Sequence, residues 1–150
     1  MVYEKGEFDF GGRVKAVPGA DMPAKTGRQR RGRVAYLSGL AAEDSVEREY
    51  LARGYRCVAK RWRGKGGEID LVFRLSRQLV FVEVKAGRSH DAAMARITHR
   101  QAARIAQSAE AFLGTQAAGS VTDMRIDGGL VDRTGRVSIL ENAVGGWGSH

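Results

Sequence analysis

Gly67-Glu68-Ile69-Asp70-Leu71-Val72-Phe73 and, after the interval Arg74 to Gln78, Leu79-Val80-Phe81-Val82-Glu83-Val84-Lys85 are the stretches whose reading decides the fold. Both are short runs rich in β-branched and aromatic residues, which predicts strands. Side chains alternate along a strand, so Val80, Val82 and Val84 point one way while Leu79, Phe81, Glu83 and Lys85 point the other. A carboxylate and an ammonium therefore share a face. The interval is about the length of a hairpin loop, which lays the two strands antiparallel and sets Asp70 beside Glu83.

Placing two acids and a base among valines costs several kcal/mol unless the charges are paired or bind a cation. Two readings fit. In one, Asp70 and Glu83 hold a hard divalent ion such as Mg²⁺, which prefers oxygen ligands and is usually bound by one or two carboxylates together with substrate phosphate. Lys85 beside that ion can orient a water or stabilise charge that develops on phosphorus. In the other, Glu83 and Lys85 form an exposed cross-strand ion pair on an edge strand.

The rest of the chain narrows the class. With 150 residues, 43% of them hydrophobic, it can build one compact domain and little more. The formal net charge of +8 favours acidic partners, nucleic acid foremost. Charge alone also permits an anionic membrane surface, but no stretch approaches the roughly 18 apolar residues that span a bilayer. Met1 to Phe10 carries Glu4, Glu7 and Asp9 and lacks the apolar core of a signal peptide, so the expected compartment is the cytoplasm. Cys57 is the only cysteine, which leaves no internal disulfide or cysteine zinc site and reads as a buried reduced thiol.

Residues 1 to 33 have little periodicity and many glycines, and are expected to be a disordered basic tail. Lys25 to Arg33, with Arg30 and Arg31, either adds non-specific attraction to phosphate or is simply solvated. From Val34 to Arg53 the positions Tyr36, Leu37, Leu40, Ala41, Val46, Tyr50 and Leu51 fit a helix stopped by Gly54. Glu43 falls on its inward stripe, as a functional acid or as a boundary residue paired with an arginine. Tyr55 to Arg63 reads as a strand and Gly64-Lys65-Gly66-Gly67 as a turn that does not match a phosphate-binding P-loop. Asp91 to Leu113 reads as a helix with Arg100 and Arg104 at helical spacing, either facing DNA or forming a solvated basic face. Met124 to Val131 and Val137 to Leu140 form a closing hairpin, and residues 144–150 a flexible end. His90, His99 and His150 lack metal-ligand spacing.

With Glu43, Asp70, Glu83, Lys85 and Gln101 in view, the chain from Tyr36 to Asp132 resembles the YraN-like, UPF0102-type family of predicted bacterial endonucleases. The resemblance rests on Ala42-Glu43, Gly54-Tyr55, GEIDLV at 67 to 72, LVFVEVKAGRS at 79 to 89, ITHRQAARI at 97 to 105, AEAFL at 109 to 113 and Arg125-Ile126-Asp127. His99 stands where a proline is common, and Ile126 where an aromatic residue is. The resemblance implies a restriction-endonuclease-like PD-(D/E)xK fold: a three-layer α/β core with a central mixed sheet flanked by helices, spanning residues 34–143. It further implies that Asp70 and Glu83, with the Val84 carbonyl and Glu43, hold Mg²⁺ or Mn²⁺. Lys85 is then the catalytic lysine, and Gln101 a polar residue that the second helix brings to the site.

The leading expectation is a metal-dependent endonuclease acting on DNA, branched or damaged DNA included. The alternative is a nucleic-acid-binding module that keeps the fold and does not cut. RNA is a weaker candidate substrate than DNA, no membrane partner is expected, and a homodimer is compatible with either reading.

Overall fold

The computed structural model describes residues 27–143, so the calls on residues 1–26 and 144–150 lie outside the described residues. The chain divides by its contacts into a unit ending at Gly32 and one beginning at Arg33, and the sheet lies wholly in the second. The elements are α1 (Gly27–Ala52), β1 (Arg56–Gly64), β2 (Gly67–Leu75), β3 (Gln78–Ala86), α2 (His90–Ala95), α3 (His99–Leu113), β4 (Asp123–Val131) and β5 (Val137–Leu140). The first helix starts at Gly27 rather than at Val34. Its first turns lack an apolar stripe, but arginine and glutamine are good helix formers without one.

The five strands form one mixed sheet in the order β1-β2-β3-β4-β5. β1, β2 and β3 pair antiparallel, β3 and β4 run parallel, and β5 returns antiparallel to β4. The expected hairpin of the two central strands is present. Its strands are longer than the sequence suggested, running to Leu75 and from Gln78, with only Ser76-Arg77 between them. Ser76 takes up the reversal at φ 56°.

Alternation along β3 divides its apolar side chains between two cores. Val80 and Val82 pack with Ala42, Val46 and Tyr50 of α1, and Leu79 and Phe81 pack with Ile105, Ala109 and Phe112 of α3. The sheet is thus covered on both faces, as a strand rich in consecutive apolar residues requires. On α1 the buried stripe is Ala42, Val46 and Tyr50, at a spacing of four; Ala41 and Leu51, read as inward, are exposed one position off that line. The helix rests directly on β4, where a Cβ at Gly129 would lie 2.8 Å from Val46.

The single helix expected over Asp91 to Leu113 is two. Thr98 is extended (φ −102°, ψ 159°) and its hydroxyl accepts from Gln101 N at 3.1 Å, capping α3. Ile97, between the helices, is buried against Ala93 and Leu130. The break matters because it sets the phase of α3, turning Gln101 toward the sheet. α3 also touches the β1–β2 turn: Ser108 Oγ donates to Gly67 O at 2.8 Å, and a Cβ at Gly66 would lie 2.1 Å from Arg104 O.

A charged network ties α1 to β4. Asp127 is fully buried and accepts from Tyr50 Oη (2.6 Å), Arg125 Nε (2.8 Å), Arg125 Nη2 (2.9 Å) and Asn142 N (2.9 Å). Tyr50 stacks on Phe73 at 4.3 Å and meets Tyr55 edge-on. Burial and the Asp127 charge push the Tyr50 phenol far above its ordinary range, so it remains a donor. Among the described residues, no helix is long and apolar enough to cross a membrane.

The network makes a testable claim about stability. Asp127→Ala leaves Arg125 and Tyr50 without their acceptor and should lower the unfolding free energy by about 3–5 kcal/mol. Tyr50→Phe removes one hydrogen bond to a charge and should cost about 1.5–3 kcal/mol. Urea unfolding followed by circular dichroism measures both, and equal losses would contradict the assignment of Asp127 as the hub.

Candidate active site

The site forms where β2 leaves β3. Pairing of β2 with β1 continues to Gly67, whereas its pairing with β3 stops at Leu71↔Val82. Beyond that point the Val84 amide donates to the side chain of Asp70, N to Oδ2 2.8 Å. Alternation also slips in β2 at this residue: Ile69 and Val72, three apart, both face the α3 core, while Leu71 and Phe73 face α1. β1 has a matching irregularity at Arg61, which adopts φ 49° between the paired positions Lys60↔Leu71 and Trp62↔Ile69. A non-glycine residue in the left-handed region costs of order 1–3 kcal/mol and persists only when its surroundings demand it.

Asp70 and Glu83 meet in the opening. Each carboxyl bears on the other's protonation, the Asp70 charge favouring the protonated form of Glu83. Burial is the main reason that both sit above the ordinary carboxylate range. For Asp70 the Val84 amide and the Lys85 charge oppose the rise, and for Glu83 the Asp70 charge adds to burial and lifts it to about 7. Lys85 Nζ lies 3.0 Å from Glu83 Oε2, the two side chains only 17% and 12% exposed. The edge-strand reading of Glu83 and Lys85 as a solvated pair therefore fails: β3 is the central strand and the pair is largely buried.

Gln101 reaches the same lysine from α3. With its amide oxygen toward Lys85, Oε1 accepts from Nζ at 3.1 Å and Nε2 donates to Arg96 O at 3.1 Å. The opposite orientation gives the oxygen the Thr98 amide at 3.3 Å but turns it toward the Arg96 carbonyl as well. An ammonium can only donate, so it decides for the first orientation.

Glu43 enters from α1. It shares a cleft of about 310 Å³ with Asp70, Glu83, Val84 and Lys85, and burial followed by the Asp70 charge raises its pKa. Its carboxylate is held by Arg61, Nη2 to Oε1 2.8 Å. The pairing with an arginine that one reading expected is present, and Glu43 also lines the cleft that holds Asp70 and Glu83. Among the described residues, no three His, Cys, Asp or Glu side chains form a ready-made metal cage. Asp70 and Glu83 line the cleft with Glu43, whose carboxylate is paired with Arg61.

Glu83 also lines a second cleft, of about 260 Å³, with Gly66, Gly67, Gln101 and Arg104. Arg104 is exposed at its mouth, and Arg100 is exposed one turn earlier on α3. Arg30 and Arg31 are exposed on the first turns of α1, within the unit that ends at Gly32. Arg61 and Arg96, which also lines the Glu43 cleft, were not anticipated. Nothing in a strand-forming run marks a left-handed Arg61. Arg96 could have been found from Thr98-x-x-Gln101, a capping pattern that ends one helix and starts another.

Residues 42–131 match the protein family described as Uncharacterised protein family UPF0102. The chain is 50% identical to a UPF0102 protein of Roseobacter denitrificans over 123 residues, which cover 82% of this chain and 95% of that one. It is 48% identical to a UPF0102 protein of Ruegeria pomeroyi over 77% of this chain and 94% of the relative, and 46% identical to one of Cereibacter sphaeroides over 75% and 96%. The matched segment contains Glu43, Asp70, Glu83, Lys85 and Gln101, and the chain belongs to the UPF0102 family.

Proposed function

We propose that the chain is a metal-dependent endonuclease of the restriction-endonuclease-like, PD-(D/E)xK type, acting on DNA. The observation that carries the reading is that Asp70 and Glu83 line one cleft, with Lys85 Nζ 3.0 Å from Glu83 Oε2, at the point where two central strands part. Two buried carboxylates in one cleft disfavour each other's ionisation, a cost that a cation would relieve. Mg²⁺ or Mn²⁺ would suit the donors present, which are hard oxygens: Asp70, Glu83, the Val84 carbonyl and Glu43. When bound, the metal supplies Lewis-acid stabilisation of the phosphoryl oxygens.

The protein's own groups have separate tasks. Lys85 Nζ positions the attacking water and stabilises charge that develops on the phosphate, and Gln101 Oε1 holds that ammonium in place. Arg61, displaced from Glu43, is available to a phosphate oxygen. Arg104, at the second cleft, and Arg100 take up the flanking backbone, where each contact adds to a salt-dependent attraction. The five-stranded mixed sheet with helices on both faces supports the fold reading.

The test is incubation of the full chain with labelled linear, single-stranded and four-way DNA in Mg²⁺, Mn²⁺ or EDTA. Cleavage should require metal. Asp70→Asn should abolish it with DNA binding retained or strengthened, because one negative charge facing phosphate is lost. Lys85→Ala should lower the rate about 10²–10³-fold. Glu43→Gln should weaken metal affinity about 10–100-fold. Steep, salt-dependent binding of all three DNAs without cleavage under any metal would replace the enzyme by a non-cleaving binding module.

The carboxyl pair also predicts a pH response. Below pH 4.5, the ordinary glutamate value, Glu83 is protonated in the folded and unfolded states alike, and its burial carries no ionisation penalty. Between pH 4.5 and about 7 the unfolded chain releases the proton while the folded protein keeps it, so the metal-free protein should lose stability as pH rises through this window. Glu83→Gln should flatten that slope, and Mg²⁺ should restore stability above pH 7. Thermal unfolding across pH, with and without Mg²⁺, measures it; a wild-type slope identical to that of Glu83→Gln would sink the buried-pair assignment.

A further inference from the structure

A third cleft, of about 430 Å³, adjoins the carboxylate cleft. It lies between α1 and the carboxyl ends of the parallel strands β3 and β4, where open α/β sheets commonly bind ligands. Ala42 and Ala86 belong to both clefts, so a chain crossing Asp70 and Glu83 can continue into this one. The floor is small and apolar, with Ala41, Ala42, Ala86 and Val131. Arg88 and Arg133 stand at the rim, exposed and, among the described residues, without an ion pair or hydrogen bond.

The wall that carries Arg133 is held in place. Asp132 Oδ1 accepts from Thr134 N (2.9 Å), Thr134 Oγ1 (2.7 Å) and Arg136 N (3.0 Å), and Gly135 turns the chain at φ 89°. His90 Nε2 lies 2.9 Å from Arg136 O, and Gly87 N donates to Val131 O at 3.0 Å, which closes the base of the cleft. The volume falls within the range of small-ligand pockets, roughly 300–1,000 Å³. Among the described residues no aromatic ring lines it, so a planar ligand would stack on guanidinium planes, which also pair with phosphate.

We propose that this cleft receives an unpaired nucleotide adjacent to the scissile phosphate: the base rests on the alanine floor, and Arg88 and Arg133 contact its phosphates. A paired base cannot enter, because it stays in the helical stack. The substrate class is therefore a duplex carrying an unpaired nucleotide at the cut rather than a continuous duplex. This deepens the endonuclease reading and rests on it.

The experiment is run in EDTA, so that nothing is cut. The full chain is titrated into a duplex with one unpaired 2-aminopurine and into a matched duplex in which the same base is paired. The unpaired duplex should bind about tenfold more tightly, with a change in 2-aminopurine emission as the base leaves water. Ala41→Trp, at an exposed position of the cleft floor, and the double variant Arg88→Ala/Arg133→Ala should each erase the preference while unfolding at the wild-type temperature. Equal binding of both duplexes by the wild type overturns the proposal, as does a preference that survives in both variants. Saturable binding of free deoxyadenosine monophosphate, lost in the same variants and without preference between the duplexes, also overturns it and assigns the cleft to a free nucleotide. Preference in EDTA with no cleavage in Mg²⁺ or Mn²⁺ supports the cleft and sinks the hydrolase; cleavage without preference does the reverse.

Discussion

The hydrogen bond from Val84 N to Asp70 Oδ2 is the constraint on which the rest depends. A backbone amide in the middle of a sheet must find an acceptor. Here a side chain supplies one just beyond the last paired residues, Leu71 and Val82. That substitution lets β2 diverge from β3 without orphaning the amide, and it fixes one carboxylate oxygen at the mouth of the opening. Glu83, the next position along β3 from Val82, is then exposed to the gap rather than covered by a neighbouring strand. The parting of the strands and the meeting of the acids are one event.

Both helical layers are set to serve that gap. On one side Gly129 lets α1 settle against β4, and the same helix brings Glu43 over the cleft one position past Ala42. On the other, Thr98 restarts the chain as α3 in the phase that aims Gln101 at Lys85. Arg61 is the exception to regular geometry. Its left-handed backbone is strained, and its side chain occupies Glu43. Under the proposed function, phosphate would compete with Glu43 for this guanidinium.

Much of this was legible from period-two alternation. It placed Glu83 and Lys85 on one face and, through the short hairpin, Asp70 next to Glu83. The same rule places Arg125 and Asp127, also two apart on a strand, on one face and so points to the buried network that joins α1 to β4, but Gly128 and Gly129 dilute the pattern there. The break at Thr98 was hidden by the small apolar residues on either side, which continue a helical pattern through it. The slip at Asp70 and the left-handed Arg61 leave no local signal, since they arise from pairing with different neighbours on the two edges of β2. The third cleft was equally invisible: its alanines become a floor only when Ala86 and Val131 end adjacent strands.

The two kinds of buried acid in this protein show why the site is read as functional. Asp127 is fully buried and receives four donors from three residues, so its charge is answered within the fold and needs nothing more. Asp70 receives one backbone amide and Glu83 one ammonium. A sheet selected only for stability would favour an apolar pair at this point, since an incompletely satisfied charge in a low-dielectric site costs more than the contacts it forms. The deficit is local, it opens onto two clefts, and both clefts have arginines at their edges. Under the proposed function, a cation and a phosphate would together supply what the acid pair and the neighbouring arginines lack.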